Sequence, residues 1–208
     1  MSQASVNADA PLVSVIVPVF NVVNYIDEGL RSLLRQDFSC PYEVILIDDC
    51  STDGSIDSCR QYASEHGDRF HLIECDQNAG VSAARNLGLE RARGRYLMFL
   101  DPDDVLPSTA MRNLFEAAEK HDADIVKGNL VLFDERERKP APDRVPVTTL
   151  VEGDAVLTTL YEHRLVRGHI AGKLLRRDRL GQIRLPAGVR MAQDLLYFSE
   201  VFACARNL

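Results

Sequence analysis

Carboxylates gather at two places in this chain, each directly behind an apolar run. Val44-Ile45-Leu46-Ile47 leads into Asp48-Asp49-Cys50-Ser51-Thr52-Asp53-Gly54, and Tyr96-Leu97-Met98-Phe99-Leu100 leads into Asp101-Pro102-Asp103-Asp104. Like charges packed together cost free energy unless a cation or hydrogen-bond donors compensate them. A hard divalent ion is the simple remedy, because it takes carboxylate and phosphate oxygens together. Asp-x-Asp suits that role, since a period of two puts both side chains on one side of an extended chain. A lone Asp at a strand end has a plainer use as a helix N-cap or the acceptor of an Asx-turn. Asp53 reads best that way, and Asp48 can serve only to brace its loop. For Asp101 taken with Asp103 the plain use explains less.

A phosphate partner needs donors. Asn78-Ala79-Gly80 opens a helical pattern, so Gly80 and the helix start can offer backbone N–H groups and the positive end of a dipole. Arg85 falls on the first turns of that helix. It can point back to the acidic edge or form a structural salt bridge to Asp101 or Asp49, and an Arg that orients an acidic site does both. Pro18-Val19-Phe20-Asn21 ends another apolar run. Phe20 either stacks on a base or belongs to the core, and Asp49 can accept a hydrogen bond from a base imide N–H.

These residues meet only if the fold brings strand ends together. Ser14–Val17, Val44–Ile47 and Tyr96–Leu100 are almost continuously apolar, as strands covered on both faces are, and Phe70–Ile73 is a further short run. Helical patterns separate them. Asn24 is placed to cap a helix carrying Ile26, Leu30, Leu33 and Leu34. A second helix opens near Asp53 or Ser55 and runs to about His66, and a third runs from after Gly80 to near Gly94. A fourth follows Pro107, with Met111, Leu114, Phe115 and Ala118 on one face. Asp124–Phe133 reads as a fifth strand. The alternation predicts a single α/β domain, a mainly parallel central sheet flanked by helices with right-handed crossovers. Ligands of such sheets bind at the carboxyl ends of the strands, where the acidic segments fall. Beyond them lie a charged loop over Asp134–Arg144, a helix near Gly153–Tyr161, a basic segment Lys173–Arg179, and a last helix through Leu195, Phe198 and Phe202.

Composition narrows the function. The 208 residues carry a net charge of −7 with 46% hydrophobic content, which excludes a disordered chain and argues against a phosphate-gripping nucleic-acid binder. Five cysteines, an odd number with no C-x-x-C pair, favour reduced thiols and a cytoplasmic setting over a zinc site or disulfide scaffold. Met1–Ala10 reads as a disordered tail without a signal peptide, and no run of about 18 apolar residues occurs. G-x-G-x-x-G and the P-loop are both absent. Asp101-x-Asp103-x-Val105 also resembles the haloacid dehalogenase phosphatase motif, but the second acidic pair then stands in the wrong order.

The segments S-V-I-V-P-V-F-N, I-D-D-C-S-T-D-G-S, N-A-G-V-S-A-A-R-N-L-G-L and G-R-Y-L-M-F-L-D-P-D-D together resemble the inverting family-2 glycosyltransferases of the GT-A fold, in that family's order and spacing over residues 12 to about 108. A-G-K-L-L-R-R-D is similar to the family's W-N-K-L-Y-R-R element, with Gly172 where an aromatic-Asn pair is usual. A-Q-D-L-L-Y-F is similar to its Glu-Asp element, with Gln193 in place of Glu. Cys50 stands where Gly is common, which strains the turn if φ there is positive. The resemblance implies a nucleotide-sugar donor, most often a UDP-sugar. Pro18, Phe20 and Asn21 would line the base pocket and Asp49 would meet the base. Asp101 would lie near ribose or metal, with Asn78, Gly80 and Arg85 completing the donor set. Asp103 would hold Mn²⁺ or Mg²⁺ against the diphosphate, and Asp194 would be the catalytic base.

Residues 11–133 then form the nucleotide-sugar part and 134–208 the acceptor side. The acceptor implied is a glycan or lipid-linked hydroxyl in cell-surface polysaccharide synthesis, with no nucleic acid. Arg164, Arg167, His169, Lys173, Arg176 and Arg177 make the second part basic, suited either to an anionic acceptor at the inner face of a membrane or to a solvated, ion-paired surface. A further C-terminal domain or a homo-oligomer is compatible with the short second part. The rival reading is a non-catalytic or partner-dependent nucleotide-sugar-binding domain, prompted by Gln193.

Overall fold

The structure is a computed structural model that describes residues 10–128, 150–153, 155–161, 170–189 and 192–208. Its elements run β1 (Val13–Val19), α1 (Ile26–Leu34), β2 (Tyr42–Asp48), α2 (Ser55–Glu65), β3 (Phe70–Glu74), α3 (Val81–Arg91), β4 (Tyr96–Phe99), α4 (Ala110–His121), β5 (Ile125–Lys127), α5 (Ala155–Tyr161), β6 (Lys173–Arg176), α6 (Arg177–Leu180) and α7 (Gln193–Cys204). The expected tail, the end of the fifth apolar run, the charged loop and Arg164, Arg167 and His169 lie outside the described residues, apart from Ala10.

One six-stranded sheet has the order β3-β2-β1-β4-β6-β5. β1 pairs in parallel with β2 and β4, and β2 with β3. β6 runs antiparallel to both β4 and β5. The mainly parallel sheet is therefore as the apolar runs predict, but two readings need correction. The segment at Lys173 is an interior strand rather than a basic surface stretch: Lys173, Leu174 and Leu175 are buried. It inserts between β4 and the expected fifth strand, which moves to the sheet edge. Helix α1 is also not capped by Asn24. Tyr25 occupies the cap position with no side-chain cap bond, and the Tyr25 and Ile26 amides donate to the Val22 carbonyl instead.

The alternation of each strand sends side chains to two cores. Val13, Val15, Val17 and Val19 pack with Leu30 and Leu33 of α1, Cys59 of α2 and Met111 of α4 on one face. Ile16, Ile45, Ile47, Leu97 and Phe99 pack with Ala84 of α3 and Tyr197, Phe198 and Phe202 of α7 on the other. A Cβ on Gly88 would lie 2.4 Å from Ile16 Cγ2, so glycine there lets α3 lie directly on β1. This packing fixes where the first turns of α3 and α7 stand over the strand ends. Among the described residues no helix is long and apolar enough to cross a membrane, and all five cysteines are free.

Candidate functional site

The loops after β1, β2 and β4 and the start of α3 enclose a cleft of about 380 Å³. Pro18, Phe20, Asp49, Asn78, Gly80, Arg85, Asp101 and Asp103 all line it. Phe20 is 46% exposed at the rim, so it is not a core residue. Asn21 is not among the lining residues. Its backbone is left-handed (φ 52°), and its Oδ1 accepts the Thr52 amide at 2.8 Å, tying the β1 loop to the β2 loop. Asp53 does what a strand-end Asp does by default: Oδ1 accepts the Ser55 amide at 3.0 Å and Oδ2 the Val23 amide at 3.0 Å. Asp48 braces its loop through the Ser51 amide at 3.1 Å.

Asp49 is buried and holds the loop before α3. Its Oδ1 accepts the Ala79 amide and its Oδ2 the Gly80 amide, both at 2.8 Å, while Asn78 Nδ2 donates to the Asp49 carbonyl at 3.0 Å. The Gly80 N–H is thus turned toward Asp49 and not into open space. Gly80 has φ 89°, a conformation suited to glycine, and Gly80 and Val81 present the N-terminal end of α3 to the cleft. Cys50, between Asp49 and the turn, has φ 67°, so this turn is of the strained kind.

Arg85 is the centre of the arrangement. It is 4% exposed, with Nη2 donating to Asp101 Oδ1 at 2.6 Å and Nη1 to Asp194 Oδ1 at 2.9 Å. The sequence points to Asp101 or Asp49 as its partner; the second partner proves to be Asp194, 109 residues away. The other Asp194 oxygen accepts the Ile170 amide at 3.1 Å. Gln193 Oε1 accepts the Ser82 hydroxyl at 2.8 Å, and Asn86 exchanges two bonds with the Leu185 backbone at 2.8 and 3.0 Å. Asp194 is not part of the cleft lining, but Arg85 joins it to Asp101, which is. Lys173 also stands beside this arrangement. Its ammonium lies 4.4 Å from the centre of the Phe198 ring, one turn beyond Asp194, and burial pulls its pKa down to about 8.

Three arginines of the second part are paired with carboxylates. Arg176 meets Asp122, Arg179 meets the fully buried Asp124, and Arg206 donates its amide to Asp124 at 2.9 Å. Arg177 donates to the backbone carbonyls of Gly94 and Arg93 instead.

Among the described residues no three His, Cys, Asp or Glu side chains form a self-sufficient metal centre. Asp101 and Asp103 share one tight turn, closed by the Asp104 amide on the Asp101 carbonyl at 2.9 Å, and Asp103 is exposed at the cleft. That donor set fits a hard cation that draws its other ligands from a diphosphate and water, as Mg²⁺ does with one or two carboxylates.

The profile of the Glycosyl transferase family 2 domain matches residues 14–180. The chain belongs to that family. TuaG of Bacillus subtilis (strain 168), a glycosyltransferase named for teichuronic acid biosynthesis, is 35% identical over 189 residues, covering 89% of this chain and 69% of TuaG. The minor teichoic acid biosynthesis protein GgaB of the same organism is 29% identical, over 93% of this chain and 21% of its own length. Residues 1–349 of TarS from S. aureus, solved in complex with UDP, match with a TM-score of 0.74 at 27% identity, covering 93% of this chain and 55% of that one. The same TarS fragment with UDP-GlcNAc gives the same TM-score and identity. The sheet flanked by helices is thus the GT-A architecture of the family-2 transferases, and this chain spans about half of the solved TarS fragment.

Proposed function

We propose that this family-2 chain transfers a sugar from a UDP-sugar to a hydroxyl of a cell-wall or cell-surface glycan, with inversion and with a divalent cation. The observation that carries the reading is Arg85, which ties Asp101 of the donor cleft to Asp194 of α7 through bonds of 2.6 and 2.9 Å. UDP as the nucleotide is supported by the TarS complexes, and the groups lining the cleft are compatible with it. Phe20 offers an exposed ring to a base. Each Asp49 oxygen that holds an amide keeps a second lone pair for a base N–H. The α3 N-terminus favours the diphosphate.

In this reading Asp194 is the general base. The acceptor oxygen attacks the anomeric carbon from the face opposite the diphosphate. The new C–O bond forms as the bond to the phosphate oxygen breaks, the hydroxyl proton passes to the Asp194 carboxylate, and the nucleoside diphosphate departs. Arg85 and the Ile170 amide hold that carboxylate in place. Mg²⁺ or Mn²⁺, held by Asp103 with the diphosphate, would neutralise the charge that grows on the leaving group.

Calorimetric titration of UDP, GDP, CDP and ADP with and without Mn²⁺ tests the donor site, with Mn²⁺-dependent binding of UDP expected. UDP-sugar transfer then tests the base: Asp194→Asn is expected to lose transfer and keep UDP binding, and Asp103→Ala to lose the Mn²⁺-dependent share of binding. Undiminished transfer by Asp194→Asn removes Asp194 from the mechanism.

A further inference from the structure

The turn that carries Asp101 and Asp103 belongs to a connection, residues 100–109, with no helix or strand of its own. A functional side chain on such a segment is only as well placed as the bonds that hold the segment. Those bonds come largely from α1 and the residues just past it. Ser32 is buried, and its hydroxyl donates to the Gly29 carbonyl at 2.6 Å and accepts the Leu106 amide at 3.1 Å. Gln36 Nε2 donates to the Pro107 carbonyl at 2.9 Å and to the Ser32 carbonyl at 3.0 Å, and its Oε1 accepts the Met111 amide at 3.0 Å. The Asp37 amide adds a bond to the Ser108 carbonyl at 2.7 Å. Upstream, a Cβ on Gly29 would stand 2.8 Å from the Pro102 carbonyl oxygen and 3.1 Å from that of Asp104, so α1 also lies directly against the turn.

The two side chains therefore close both ends of one strap. Ser32 fixes the point where the acidic turn leaves for α4, and Gln36 fixes the first turn of α4 to the end of α1. Neither touches the cleft. We propose that Ser32 and Gln36 are positioning residues for the Asp101–Asp103 turn, and that they set the cation-dependent share of nucleotide affinity while leaving the base contacts of Phe20 and Asp49 alone. The inference rests on the reading of Asp103 as the cation ligand.

The test is calorimetry of UDP with and without Mn²⁺ on four proteins: wild type, Ser32→Ala, Gln36→Ala, and Leu30→Val. Leu30 packs in the core on the same helix, so its variant loosens α1 without cutting the strap. Removing groups that orient metal ligands typically costs about 10- to 100-fold in affinity. A loss near the lower end is expected for UDP with Mn²⁺ in Ser32→Ala and Gln36→Ala, with UDP affinity in the absence of Mn²⁺ unchanged and Leu30→Val like wild type in both. Equal losses with and without Mn²⁺, losses matched by Leu30→Val, or no loss at all overturn the proposal. Gln36 is only half-buried, so its variant carries the test if Ser32→Ala does not fold. A wild-type chain whose UDP binding ignores Mn²⁺ refutes the cation reading itself, and is distinguished from failure of the strap by that first titration.

Discussion

Replacing Arg85 with Met keeps much of the side-chain volume and deletes the one cation shared by Asp101 and Asp194. Breaking a buried ion pair typically costs about 3–5 kcal/mol, most of it from the charge left behind. Here the two carboxylates are 33% and 25% exposed, so water recovers part of that loss. About 2–3 kcal/mol is the expected penalty, just below that range. For a chain of this size each kcal/mol moves the melting temperature by about 2–4 °C, which gives a fall of about 5–10 °C. The catalytic cost should be larger. A carboxylate freed to move by about 1 Å can lose about 10²-fold in rate. UDP affinity should suffer less, because Phe20, Asp49 and the α3 N-terminus are untouched. Arg85→Lys is the informative companion: a single ammonium keeps the charge but cannot reproduce a fork that meets two carboxylates. It should recover much of the stability and little of the rate. Thermal melts, UDP calorimetry and UDP-sugar transfer on both variants give the three readings. A folded Arg85→Met whose kcat stays within about threefold of wild type, less than 1 kcal/mol of barrier, would refute the role given to the bridge.

Two further outcomes follow from local physics. Cys50→Gly should stabilise the protein by about 0.5–1 kcal/mol in chemical denaturation, since relief of the left-handed strain at φ 67° outweighs glycine's greater unfolded-state freedom; a destabilised variant would show that contacts of the Cys50 side chain outweigh the strain. Lys173→Met should change the pH dependence of stability: burial holds the Lys173 pKa near 8 in the fold against an ordinary 10.5, so its cost is fully present below pH 8 and fades as pH rises toward 10.5. At about 1.4 kcal/mol per pKa unit, denaturant titrations at pH 7 and pH 10 should show the wild type gaining roughly 2–3 kcal/mol on the variant between them, and parallel curves would refute the shift.

Most of the parallel half of the sheet was legible because its strands are short, continuous apolar runs separated by helical patterns, and the acidic segments fall at their carboxyl ends. The β6 strand was hidden for a physical reason. Lys173-Leu174-Leu175-Arg176 begins and ends with basic residues, and nothing local shows that the lysine ammonium is buried over the ring of Phe198. The cap of α1 was misassigned because Asn24 is a good capping type, whereas the actual turn is closed by backbone bonds to Val22 that any residue can make. Asn21 illustrates a different limit. The family resemblance puts it beside Phe20 in a base pocket, but a left-handed backbone turns its amide toward Thr52.

The link between donor cleft and α7 was the least legible feature, and it is the most informative about function. Helix α3 presents Ser82, Arg85 and Asn86 on one face, at the spacing of successive helical turns. Each reaches a partner about 100 residues later: Gln193, Asp194 and the Leu185 backbone. A buried stripe that is polar leaves no hydrophobic periodicity to read, so only the chemistry of the individual residues hints at it. The same stripe bears on Gln193, where the family resemblance leads one to expect Glu. Its carbonyl oxygen is committed to Ser82, a duty an amide performs as well as a carboxylate does. Arg85 already serves two carboxylates, and a Glu here would add a third negative charge around one cation. The single displacement proposed above needs one base, and Asp194 is the carboxylate assigned to it there. On that proposal the amide at 193 removes no group that the displacement uses, and transfer by the wild-type chain against none decides between a transferase and a binding-only domain.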